Sequence, residues 1–257
     1  MCDVFLHILF IKKMKKILCS ILLAQLFLLL TNFEIITDVK VGTLTYSMTN
    51  IHVIQSNGKV FLIDAGYAKN ANNIIKGLSK MGIDIKDVDG IIVSHGHSDH
   101  AGSAKFFQET YQIPIIAGKG DVLMLKAGKN APFKTTSQYA RFIEKFIKHT
   151  FPPVTPDIQI EKEYDLNELG INGKIIPMSG HTKGSLVILI DDMAFVGDMM
   201  RSATFNKKSP KTHLFHENIE LAQKNIETIL KNKNIATFYI GHGGPLSRKR
   251  VVEYFQK

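Results

Sequence analysis

The sequence predicts an α/β fold in which helices pack outside sheets. Three observations carry that prediction. Short runs of β-branched and aliphatic residues, such as Gly90-Ile91-Ile92-Val93, read as buried strands. Stretches such as Glu217–Leu230 carry one apolar stripe at helical spacing and alternate with those strands. Several strand-like runs end in a glycine followed by a histidine or an aspartate, so polar chemistry gathers at strand ends, where a rigid scaffold holds it accurately.

The chain starts with a leader. Met14-Lys15-Lys16 followed by Ile17 to Leu30 has the shape of a secretory signal, a short basic start and then an apolar run. No clear small-x-small cleavage site follows Leu30, so an uncleaved membrane anchor is the alternative, although a full span wants about 20 apolar residues. Residues 1–32 are therefore expected to be a signal or an anchor, starting at Met1 or Met14. Residues 33–257 are expected to form one exported domain, periplasmic or secreted, that touches a membrane only through the leader. Both cysteines, Cys2 and Cys19, lie in the leader, which leaves the domain no disulfide and no thiolate ligand. Of the formal net charge of +9, the leader holds +3 (Lys12, Lys13, Lys15 and Lys16 against Asp3). The mildly basic remainder reads as scattered solvated lysines, and no specific nucleic-acid binding is expected.

Elements follow in order. Val39 to Gln55 reads as two strands around Thr49-Asn50, and Lys59 to Ile63 as a third. Ala68 to Met81 is a helix with Ile74, Ile75, Leu78 and Met81 on one face. Ile91 to Ser94 is a strand, and Ala101 to Tyr111 a helix starting directly behind His100. Ile113 to Ala117 is a strand and Gly120 to Lys126 a short helix. Ser137 to Thr150 sets Tyr139, Phe142, Ile143, Phe146 and Ile147 on one helical face before Pro152, Pro153 and Pro156 break the chain. That helix either packs on the core or forms a wall over a site. Lys174 to Met178, Ser185 to Ile190, Met193 to Val196 and Thr237 to Ile240 are strands, and Ser247 to Phe255 is a last helix. No internal repeat is visible.

Ser94-His95-Gly96-His97-Ser98-Asp99-His100 places three histidines and an aspartate within six residues, directly after a strand. In extended backbone His95 and His97 point the same way, while Asp99 and His100 turn toward a second point. That layout suits two metal ions, and imidazole and carboxylate are ligands that zinc accepts. His181, Asp198 and His242 each follow a strand and a glycine and can complete the set. His52, His149, His213 and His216 are expected to lie outside it. There is no G-x-S-x-G elbow, Walker loop or dinucleotide fingerprint to support rival chemistry.

HGHSDH, followed by GHT, GD and GHG, resembles the metallo-β-lactamase superfamily, over the stretch from about Val39 to Lys257. Val60 to Gly66 is similar to the second-strand signature of that family. The resemblance implies an αβ/βα four-layer sandwich. It implies that His95, His97 and His181 bind one ion, that Asp99, His100 and His242 bind another, and that Asp198 bridges them. Asp64 would support the ligand loops from beneath. The implied cofactor is a pair of zinc ions, with iron or manganese as alternatives. A hydroxide between the ions would attack the substrate, with Asp99 orienting it and moving its proton.

Departures from subfamilies narrow the activity. True β-lactamases of this superfamily carry cysteine or serine in place of Asp198. Glyoxalase II adds a C-terminal helical region, whereas 15 residues follow His242 here. Quorum-quenching lactonases place a tyrosine shortly after the bridging aspartate, where this chain has Met199-Met200-Arg201. The expectation is a hydrolase of a small ester, lactone, thioester or amide. Alternatives are a phosphodiesterase or nuclease of the same fold, a true β-lactamase, an iron persulfide dioxygenase, or a non-enzymatic binding protein. Arg201, Phe142 and Phe146 are candidate substrate contacts.

Overall fold

In the computed structural model, which describes Met14 and residues 39–256, chain order runs through two sheets in turn. The first half contributes β1 (Lys40–Tyr46), β2 (Thr49–Ser56), β3 (Lys59–Ile63), β4 (Gly90–Val93), β5 (Ile115–Gly118), β6 (Lys134–Thr135) and β7 (Ile158–Ile160). The second contributes β8 (Tyr164–Asp165), β9 (Lys174–Pro177), β10 (Leu186–Ile190), β11 (Met193–Phe195), β12 (Met200–Ser202), β13 (Pro210–Thr212), β14 (Phe215–His216), β15 (Thr237–Tyr239) and β16 (Leu246–Ser247). Helices are α1 (Ala71–Lys80), α2 (Ala104–Tyr111), α3 (Val122–Ala127), α4 (Gln138–Glu144), α5 (Ile219–Lys231) and α6 (Arg248–Phe255). One sheet has the order β1-β2-β3-β4-β5-β7 and the other β16-β15-β11-β10-β9-β8, with β12-β13 and β14-β6 as small ribbons. The leader readings, including signal, anchor and both cysteines, lie outside the described residues.

Alternation along the strands sorts the core into layers. Ile51, Val53, Ile91 and Val93 face Ile74 and Leu78 of α1 and Phe107 of α2. Their neighbours Ile54 and Ile92 face the other way and meet Ile175, Ile188 and Phe195 of the second sheet. Val187, Leu189 and Phe238 pack outward on Ile226 and Ile229 of α5 and Val251 of α6. The result is helix, sheet, sheet, helix: the four-layer αβ/βα sandwich. Strands buried on both faces need continuous apolar runs, and β4 and β10 supply them.

Three elements differ from expectation. The first hairpin turns at Ser47-Met48, both at positive φ (52° and 70°), and Thr49-Asn50 is already strand. A two-residue hairpin turn needs positive φ, and no Gly or Asn marks this one. Helix α2 starts at Ala104, after turns over Ser98–Gly102, so it does not abut His100. The stretch predicted as a helix over 137–150 is helical only to Glu144, capped by Ser137 Oγ accepting from Ala140 N. Beyond it, Asn130 N donates to His149 O and Phe151 N to Gly128 O, which draws the chain into extended pairing. Nor does its apolar face pack on the core: Tyr139 is 50% exposed, Phe142 57% and Phe146 72%.

Candidate metal centre

The loops after β4, β9, β11 and β15 converge at one edge of the two sheets. Ser94 O accepts from Leu186 N across the sheets at 2.8 Å, and Gly197 O accepts from Gly241 N at 2.9 Å. Close approach demands the glycines. A Cβ on Gly241 would stand 2.1 Å from Asp198 Oδ1 and 2.6 Å from His100 Cε1. Gly197 sits at φ +49° with Ser94 Oγ 2.7 Å from where its Cβ would be.

All seven predicted donors come together. His95, His97 and His181 form one trio, and Asp99, His100 and His242 another, each with donor atoms within 4.8 Å of one another. Asp198 lies between them. Its Oδ2 is 3.2 Å from His242 Nε2, 3.4 Å from His100 Nε2, 3.7 Å from His181 Nε2 and 3.8 Å from His95 Nε2. A zinc–nitrogen distance of about 2.0–2.1 Å makes the edge of a coordination tetrahedron roughly 3.3 Å, so these spacings fit ligands of shared ions. The orphaned atoms give a second test. His95 Nε2, His97 Nε2, His100 Nε2 and Asp198 Oδ1 are buried without a hydrogen-bond partner. Leaving each one unpaired costs about 1–3 kcal/mol, which bound cations would offset.

The opposite ring nitrogens are anchored. His100 Nδ1 donates to Asp64 Oδ2 at 2.7 Å, His181 Nδ1 to Phe215 O at 2.8 Å and His242 Nδ1 to Met48 O at 2.9 Å. Ser94 Oγ donates to Asp64 Oδ2 and meets His95 Nδ1 at 3.0 Å. Each contact turns Nε2 toward Asp198. Asp64 therefore sits beneath the cluster and not in it. Asp121, which sequence reasoning missed, ties two ligand loops. It accepts from Gly96 N, Thr182 Oγ1 and Gly184 N, and burial still pushes its carboxyl up against those bonds.

Electrostatics divide the cluster. Burial, reinforced by neighbouring histidines, drives His95 and His181 well below the usual imidazole range, and burial takes His97 to about 4, so all three are held as neutral imidazoles, with His97 Nδ1 meeting His181 Nε2 at 3.0 Å. Burial works against the His242 cation, but Asp198 and Asp99 outweigh it and lift the group to about 10. His100 is raised in the same way, with Asp198 and Asp64 overcoming burial. Burial would raise Asp99 and Asp198, yet the facing histidines hold both below the usual carboxylate range. One half of the site is neutral, and the other is a pair of cations beside two carboxylates that metal ions would replace.

His213, set outside the ligand set by sequence, lies inside the cluster. Its Nε2 is 3.1 Å from Asp198 Oδ2, nearer than any of the four expected histidines. His216 packs edge-on against His181 at 5.4 Å. The spacing His213-x-x-His216 is the signal the sequence offers, but β13 and β14 are too short to leave a strand pattern around it. His149 stacks on Phe133, and His52 is held by Thr43 Oγ1 and Ile240 O, both apart from the donors.

A cleft of about 300 Å³ opens over the donors, with Tyr67, Asp99, His213 and His242 in its lining. Arg201 reaches it, and so do Tyr139, Ile143 and Ile147 of the segment read as either core-packed or a wall over the site. Phe142 does not line it, and Phe146 lines an adjoining pocket with Met48 and Tyr67.

Fold and site together are those of a metal-dependent hydrolase. The sequence model of the metallo-β-lactamase superfamily matches residues 44–242, and the chain belongs to that superfamily. Among curated relatives, it is 29% identical over 190 residues to a probable metallo-hydrolase of Methanocaldococcus jannaschii, covering 72% of this chain and 83% of that protein. It is also 29% identical over 115 residues to a hydroxyacylglutathione hydrolase of Shewanella denitrificans, covering 44% of this chain and 34% of the relative. Among solved structures, a B3 metallo-β-lactamase superposes with a TM-score of 0.64 at 17% identity, over 84% of this chain and 97% of that one. At that identity the likeness concerns the fold.

Proposed function

We propose that the protein is a binuclear zinc hydrolase acting on a small ester, lactone, thioester or amide. The observation that carries this reading is the pair of donor trios on either side of Asp198, with their anchored imidazoles and orphaned inward atoms. His95, His97 and His181 would hold one ion, Asp99, His100 and His242 the other, and Asp198 would touch both. When bound, zinc supplies Lewis acidity toward a substrate oxygen and lowers the pKa of water to about 7.

The protein's own groups do the rest. Asp99 faces the cleft, with Thr49 Oγ1 donating to its Oδ2 at 3.3 Å, and is placed to hold the attacking water's proton and pass it to the leaving group. Tyr67 lines the same cleft and stays protonated, because burial and then Asp99 and Asp198 oppose its ionisation, so it is a hydrogen-bond donor to substrate. Export rests on the leader sequence alone, and fractionation of the producing cells tests it. Metal content per chain, read beside a panel of lactone, β-lactam, thioester and phosphodiester substrates, tests the reaction. Two zinc ions with turnover of a carbonyl substrate support it. One iron, or turnover of phosphodiesters only, replaces it.

A further inference from the structure

Three protrusions ring the mouth of the cleft, and each presents exposed carbon. The β1–β2 hairpin carries Met48 at its tip, 81% exposed. The segment through α4 carries Phe142 and Phe146, in contact with each other and turned outward. The loop between β12 and β13 carries Phe205, wholly exposed. The cleft fixes their neighbourhood. Met48 lines it together with Thr204, which precedes Phe205, and with Ile143, which follows Phe142. Phe146 lines the adjoining pocket with the same Met48. Large apolar side chains gathered on one rim mark a surface that meets a partner or a membrane.

Cations stand among these tips. Arg141 and Lys145 are four residues apart, each one position before Phe142 or Phe146, so they flank that pair. Lys69 and Lys148 are exposed at the adjoining pocket, and Lys207 and Lys208 follow Phe205. Residues 199–212 hold no acid, and within 137–150 the one acid is Glu144, which is half-buried. Among the described residues the lysines in ion pairs are Lys59, Lys105, Lys119 and Lys174, none of them in these segments. A rigid protein partner would have to match three separate tips and the open cleft between them. A lipid surface needs no such match. It closes around each protruding side chain, takes the rings into its apolar layer and meets the cations with its headgroups, and the excess of positive charge selects an anionic one.

We propose that this rim docks on an anionic bilayer surface, with Met48, Phe142, Phe146 and Phe205 entering the acyl boundary and the flanking cations at the level of the phosphates. Docked in this way, the cleft opens toward lipid. The docking does not depend on which bond the metal centre cleaves.

The chain has no tryptophan, so a single one reports its own surroundings. Phe205→Trp and Phe146→Trp put the reporter on the rim. Met81→Trp puts it beside Gly42, five strand residues and about 17 Å from the hairpin tip. Each full-length variant is mixed with vesicles of phosphatidylglycerol or of phosphatidylcholine, with and without bromine on the acyl chains as quencher. All three variants carry residues 1–38, so any attachment through that segment is common to them, and quenching reads where the reporter sits. On phosphatidylglycerol both rim reporters are expected to shift to the blue and to be quenched, and Met81→Trp to do neither. Lys145→Gln and Lys148→Gln, each built into Phe205→Trp, are expected to lower the ratio of inserted to free reporter about fivefold. Unquenched rim reporters, equal quenching of Met81→Trp, or equal quenching on phosphatidylcholine would each overturn the proposal. So would a blue shift without lipid that follows dimer formation in sedimentation, which would give the rim to a second copy of the chain.

Discussion

Asp121 Oδ2 accepts a hydrogen bond from Thr182 Oγ1 at 2.7 Å while also holding Gly96 N at 2.8 Å, so one buried carboxylate joins the loop of His95 and His97 to the loop of His181. Its Oδ1 takes Gly184 N at 2.7 Å. Replacing Asp121 by alanine leaves two buried N–H groups unpaired and frees two ligand loops from each other. Urea unfolding of the metal-free protein should show a loss of at least about 3 kcal/mol. Metal affinity, read by chelator competition, should fall about 10- to 100-fold. Thr182→Val, which removes one of the three bonds, should show a smaller loss in both.

The aromatic pair on the rim gives a different expectation. Phe142 and Phe146 touch each other at 5.3 Å between ring centroids, yet both are largely exposed. Changing both to alanine should move stability by no more than about 0.5 kcal/mol. Phe107, wholly buried between α2 and the first sheet, should cost about 3–5 kcal/mol for the same change. Thermal or urea unfolding of the two variants side by side decides it. A large loss in the rim double variant would mean the segment packs inward in solution.

These elements mark what sequence can carry. His95, His97, His181, Asp198 and His242 were legible because each follows an apolar run whose strand character is local, and a strand end fixes where its next residues go. The four layers were legible through the resemblance, and Ile91–Ile92–Val93 shows why: alternate residues serve two different cores. The hairpin at Ser47-Met48 was not, since positive φ at two side-chain-bearing residues leaves no compositional mark. Period alone placed Phe142 and Phe146 on a face but could not say whether anything covers it. Asp121 and His213 act through partners 61 and 15 positions away, at Thr182 and Asp198, and no local pattern encodes such pairings.

Acid should weaken the metal-free protein through His52. Burial lowers this imidazole from 6.5 to about 4, only partly offset by Asp64 and the Ile240 carbonyl. Between those values the unfolded chain takes a proton that the folded chain refuses, so unfolding gains as pH falls. The contribution is fully present above pH 6.5 and is lost as pH drops toward 4, on the order of 3 kcal/mol in all. His97 and His216, also lowered by burial, act in the same direction. His52→Gln isolates the term: its stability should vary less steeply with pH than that of the parent over that window. Equal slopes would remove His52 from the account.

Asp198 and His213 should part company under mutation, although they stand 3.1 Å apart. Among the described residues Asp198 is the carboxylate whose ion-pair contacts take in imidazoles from both trios. Asp198→Ala should therefore lose at least one ion per chain and at least about a hundredfold in turnover while the fold survives, because its side chain supports no core cluster. His213 is different. Its Nδ1 lies 3.1 Å from Phe215 O and 3.3 Å from Phe215 N, and its Nε2 meets Asp198 Oδ2 at 3.1 Å. It would act on bound ions through the carboxylate it positions. In His213→Ala both ions should still bind, and chelator should strip them about 10- to 100-fold faster. Cobalt substitution separates the cases: the absorption bands of the loaded protein should collapse in Asp198→Ala but only shift in His213→Ala. Loss of a cobalt ion in His213→Ala would make His213 a ligand in its own right.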